Sequence, residues 1–72
     1  MKASDFGSLP VKQFDHGDPV LKLSFVGIDL KALVDVLQVA LDKSPGASFY
    51  IGHEQEICVE SADGKALVLI YT

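Results

Sequence analysis

Between Leu30 and Asp42 the polar residues are Lys31, Asp35, Gln38 and Asp42, and every other position is apolar. Spacings of four, three and four place those polar residues on one narrow stripe of an α-helix. A surface helix needs an apolar stripe of only roughly 100°, whereas this one spans most of the circumference. Val34, Val36 and Val39 are β-branched and weak helix formers, so packing has to hold them. Asp29 is placed to cap the helix by accepting from first-turn amides, and its charge suits the positive end of the helix dipole. Lys31 and Asp35 form an i,i+4 pair worth about 0.3 kcal/mol. Ser44-Pro45-Gly46 ends the helix after Lys43. The chain therefore has more apolar helix surface than a single small core absorbs.

The flanking segments alternate with the period of strands. In Val20 to Val26, Leu21, Leu23 and Phe25 fall on one face and Lys22 and Ser24 on the other, and Gly27 ends the run. Ala47 to Ile51 reads as a strand with Phe49 and Ile51 on one side and Ser48 and Tyr50 on the other. Glu56 to Ser61 places Ile57 and Val59 inward, with Glu56, Cys58 and Glu60 outward: the glutamates on a solvated face or the rim of an interface, and Cys58 under whatever covers Leu69. Asp63-Gly64 is expected to form a two-residue type I′ hairpin turn into a last strand from Lys65 to Thr72. That turn sets Val59 against Val68 and Ile57 against Ile70 on the helix side. The near-continuous apolar run from Ala66 to Tyr71 predicts a central strand.

Residues 1–18 follow no period. Phe6, Leu9, Val11 and Phe14 lie among the turn formers Gly7, Pro10 and Gly17, which predicts an irregular N-terminal arm, with an edge strand available at Val11 to Phe14. Asp15-His16-Gly17-Asp18-Pro19 is a turn by its residue types. The expected architecture is α+β: this arm (1–18), then one domain (19–72) with a single helix on a small, mostly antiparallel sheet in the order β-α-β-β-β. A strand–helix–strand crossover in it is right-handed.

The hairpin register puts Leu67, Leu69 and Tyr71 on the sheet face away from the helix, opposite Glu60, Cys58 and Glu56. Three large apolar residues there need a cover, which the arm (Phe6, Leu9, Phe14) or a second subunit can supply. Leu67, Leu69, Tyr71 and Tyr50, with Val36 and Val39 on the helix, are the expected interface residues, tyrosine being common among binding hot spots.

Seventy-two residues make at most one domain, and a core this size supplies only about 3–5 kcal/mol of net stability. Cys58 is alone, so the chain holds no internal disulfide, and a lone thiol suits the cytoplasm. No apolar run approaches the about 20 residues of a membrane span, and MKASDFGSLP lacks the apolar core of a secretory signal. Ten Asp and Glu stand against six Lys and no Arg, a net charge of −4. Without arginine forks for phosphate and guanine, and with that charge, nucleic acid and anionic membranes are poor partners.

No cofactor, metal or catalytic motif emerges. His16, Asp18, His53, Glu54 and Cys58 could be gathered around a metal, but no zinc-type spacing links them. Asp15 to Asp18 starts like a calcium loop, yet its twelfth position is Val26 rather than glutamate. Cys58 lies mid-strand with no basic residue beside it in sequence to lower its pKa. Asp29 itself occupies the helix start where free amides would hold an anion. The expectation is a small non-enzymatic protein-interaction module. It would self-associate as a dimer, or bind a larger protein as an inhibitor, immunity or regulatory subunit. The alternative is an oligomer holding a small apolar ligand.

Overall fold

The computed structural model describes residues 1–14 and 19–72. The turn expected at Asp15 to Asp18, and with it His16, lies outside them. In chain order come a short 3-10 turn (Ala3–Phe6), β1 (Lys12–Phe14), β2 (Leu21–Val26), α1 (Leu30–Lys43), β3 (Ser48–Ile51), β4 (Ile57–Glu60) and β5 (Ala66–Tyr71). The fold is the α+β arrangement expected, with one helix against a five-stranded sheet.

The sheet order is β1-β2-β5-β4-β3. The most apolar strand, β5, is central, with a bonded strand on either side. β2 pairs with β5 in parallel, and the other three pairings are antiparallel. β3 consequently runs parallel to β2, and α1 carries the chain across β5 and β4 from one to the other. Such crossovers are right-handed.

Asp29 caps α1, its Oδ1 accepting from the Ala32 amide at 2.8 Å. Lys31 Nζ and Asp35 Oδ2 pair at 3.3 Å on the exposed stripe. Val36 and Ala40 are fully buried against Leu23, Phe25, Val59, Val68 and Ile70. Val59 opposes Val68 and Ile57 opposes Ile70, the register expected from a two-residue Asp63-Gly64 loop.

The hairpin keeps that register with a different turn. Gly64 has φ +72°, but Asp63 is not in the positive-φ region, so the turn is not type I′. Ser61 builds it instead. Its carbonyl accepts from the Gly64 amide and its Oγ from the Ala66 amide, and the same Oγ–H donates to Asp63 Oδ1 at 2.7 Å.

The N-terminal segment joins the same core. Phe6 is buried and meets Phe25 of β2 edge to face, with centroids 5.1 Å apart. Met1, Ala3, Leu9 and Val11 pack beside it. Of the residues offered as a cover for the far sheet face, Phe6 and Leu9 therefore lie on the helix side. Phe14 opposes Lys22 and keeps to the far face at the sheet edge.

Candidate functional site

The expected interface residues separate into three environments. Val36 is 0% exposed at the centre of the subunit's own core, so it offers no surface to another chain. It lies in the middle of the apolar arc of α1, which is where the sheet fills in first. Val39 is half-buried against the same core. Leu67, Leu69 and Tyr71 are half-buried on the far face. Tyr50 is 46% exposed.

On the far face the pairings lay out rows across the sheet. One row runs Phe14, Lys22, Leu67, Glu60, Ser48, and the next runs Lys12, Ser24, Leu69, Cys58, Tyr50. An apolar spine on β5 thus has lysines on the β1–β2 side and Glu60 on the β4 side. No helix or arm segment among the described residues forms a second layer over it. Ser24 is buried within this face, and its Oγ has no hydrogen-bond partner among the described residues.

Glu56 departs from expectation. The alternation reads it as a solvated carboxylate, yet it is buried. Its side chain folds back over Gly52, where any Cβ would overlap the carboxylate, and accepts from the Glu54 amide at 3.3 Å. The Gly52 amide donates to the Glu56 carbonyl at 2.9 Å. The missing Cβ at Gly52 is what leaves room for the Glu56 side chain to fold back here.

Burial, then the nearby Glu56 charge, pushes the Cys58 thiol up from its ordinary pKa. That is the reverse of an activated thiolate. Burial likewise raises Tyr50, reinforced by Cys58, Glu60 and Glu56. It raises Tyr71 too, with Glu54 and Glu56 adding to the effect. His53 stands exposed on the turn. Among the described residues no three His, Cys, Asp or Glu side chains converge as a metal site would require. No helix among them is long and apolar enough to cross a membrane.

Exposed large apolar residues concentrate elsewhere. Phe49, Tyr50 and Ile51 make up most of β3, and Leu30, Val34 and Leu41 form one flank of α1; outside these two elements, Val26 is the exposed large apolar residue among those described. The opposite flank, Ala32 and Val39, is half-buried. The Ala3–Phe6 turn packs against α1 and sits over β2 through Phe6, on the side away from β3. The right-handed crossover turns the Leu30–Leu41 flank toward β3. Val34, Leu37, Gln38 and Leu41 line a shallow open groove of about 230 Å³ there. That is small beside the roughly 300–1,000 Å³ of pockets that enclose small molecules.

β3 is also a bare edge. Gly52 and Glu56 are a hydrogen-bonded pair, so by alternation Tyr50 and Ser48 bond to β4, while the amides and carbonyls of Phe49 and Ile51 face outward. The other edge, β1, is three residues long and carries Lys12 and Gln13, the kind of polar, short edge that resists pairing. β3 carries no charge, proline or bulge.

No protein-family model, curated protein or solved structure matches this chain.

Proposed function

We propose that this chain is a small non-enzymatic protein-interaction module that self-associates. In this reading it acts by occupying a surface on a larger protein, in the manner of an inhibitor, immunity or regulatory subunit. The observation that carries the reading is the sheet face of Leu67, Leu69 and Tyr71. Of its expected cover, Phe6 and Leu9 are committed to the opposite side, and Phe14 stays on the far face only at the β1 edge. Two-layer domains bury each apolar sheet face against something, and the absence of a second layer here among the described residues supports a cover drawn from another chain.

The charge pattern fits a protein partner rather than nucleic acid or an anionic membrane. The net charge is −4 with no arginine. A cytoplasmic setting goes with a single, buried, reduced Cys58. The apolar-ligand alternative has less support, because the space between helix and sheet is filled by Val36, Val59, Val68 and Ile70.

Light scattering on a sizing column, from low micromolar to millimolar chain, tests the reading. A mass that rises above one chain supports it. A strict monomer that binds no apolar-surface dye removes its basis.

A further inference from the structure

Resting on the self-association reading, we propose that the partner is a second copy of this chain, joined through β3 to give one ten-stranded sheet. β3 pairs antiparallel with its own symmetry mate about a two-fold axis at Tyr50. The backbone selects that register. Phe49 and Ile51 are the β3 residues whose N–H and C=O face the open edge. Centring the axis on Tyr50 sets Phe49 against the second copy's Ile51, and Ile51 against its Phe49, which closes four N–H···O=C bonds. Moving the axis to Phe49 sets Ile51 against Ala47, whose amide already donates to the Ser44 carbonyl at 3.0 Å. Moving it to Ile51 sets Phe49 against His53, in the turn beyond the strand.

The side chains agree with the same register. Phe49 (43% exposed) and Ile51 (61%) lie on the helix side. Across the seam they form two aromatic–β-branched cross-strand pairs, a favourable combination. Tyr50 meets its own copy in a non-hydrogen-bonded pair, where side chains approach most closely. The contact accounts for three of the exposed large apolar residues, Phe49, Tyr50 and Ile51, and the exposed flank of α1 lies on the same side of each sheet as Phe49 and Ile51. A two-fold interface of like surfaces is the commonest form of oligomer. The dimer also joins the two far faces, each with Leu67, Leu69 and Tyr71, into one wider surface for a larger protein.

The test uses the self-paired position. Tyr50→Glu sets two carboxylates face to face across the axis, beside Glu60. It should raise the dimer dissociation constant at least ten-fold by sedimentation equilibrium, with circular dichroism unchanged. Mixing it with Tyr50→Lys should restore a dimer of one chain of each kind. A wild-type sample mixing isotope-labelled and unlabelled chains, read by filtered NMR, should give contacts between Phe49 rings and Ile51 methyls of different chains. If Tyr50→Glu associates like wild type while Leu69→Ser does not, the edge pairing is overturned and self-association stands. Absence of the Phe49–Ile51 contacts in a wild-type dimer has the same meaning. If wild type stays a monomer at millimolar concentration, both readings fall.

Discussion

Phe6 and Phe25 meet edge to face, their ring planes at 68° and their centroids 5.1 Å apart. This contact commits Phe6 to the helix side of β2, and no described segment forms a second layer over the far face. Aromatic pairs of this geometry contribute about 0.5–1.5 kcal/mol beyond area burial.

Phe6→Ala should therefore cost roughly 3–5 kcal/mol, through lost burial and the cavity left behind. A domain this small holds about that much in total. The urea midpoint should collapse toward zero, while Phe6→Leu retains a measurable transition. A midpoint change equivalent to less than about 1 kcal/mol in Phe6→Ala would mean that the arm is not part of the core.

The tight turn at Gly52 gives a second prediction. A Cβ there overlaps the Glu56 carboxylate and comes within 3.2 Å of Cys58 Sγ. Gly52→Ala should destabilise by about 1 kcal/mol, the low end of the overpacking range, because the Glu56 side chain can swing aside. In a Glu56→Ala background the penalty should shrink, since the main obstacle is gone. Equal penalties in the two backgrounds, by a double-mutant cycle in urea, would contradict the folded-back Glu56.

Asp29→Ala removes the helix cap to the Ala32 amide. The expected loss is about 1 kcal/mol, with Asp29→Asn close to wild type. Thermal unfolding followed at 222 nm reads it.

Much of this fold is legible from residue types alone, for reasons tied to particular segments. The cap at Asp29 and the stop at Ser44-Pro45-Gly46 bracket the helix chemically. The alternation through Val59 and Val68 puts both on the core, and the Asp63-Gly64 turn between them sets their register. Three features escape because they depend on distant contacts. The side of the sheet taken by Phe6 carries no local period. The burial of Glu56 depends on Gly52, four residues away, lacking a Cβ. Val36 and Val34 are alike as residues, yet one is fully buried and the other exposed, because Val36 lies on the arc of α1 that packs on the sheet and Val34 on the flank beyond it. The turn at Asp63-Gly64 has residues that suit type I′, but the Ser61 hydroxyl favours another geometry with the same strand register.

The pH dependence has two limbs. Ser61 Oγ–H and then the Lys65 amide donate to Asp63, holding its pKa below the usual carboxylate value. That contribution is present above the unfolded value, about 3.9, and is lost as pH falls through the depressed folded value. Asp63→Asn should flatten this acid limb. Cys58, Tyr50 and Tyr71 are all raised, chiefly by burial. In the folded state they keep protons that the unfolded chain releases, so stability should decline from about pH 8.5 upward and further above about pH 10. Cys58→Ala should delay the onset of that decline to the tyrosine range. Urea titrations between pH 2 and pH 11 read both limbs.

The most direct test of self-association through β3 is amide hydrogen exchange in the wild-type chain at several concentrations. In the monomer the Phe49 and Ile51 amides face solvent, while those of Ser48 and Tyr50 bond to β4. The account predicts that exchange at Phe49 and Ile51 slows at least ten-fold as concentration rises through the dimer range, in step with the mass. Fast, concentration-independent exchange at both amides in a sample shown to be dimeric would contradict it.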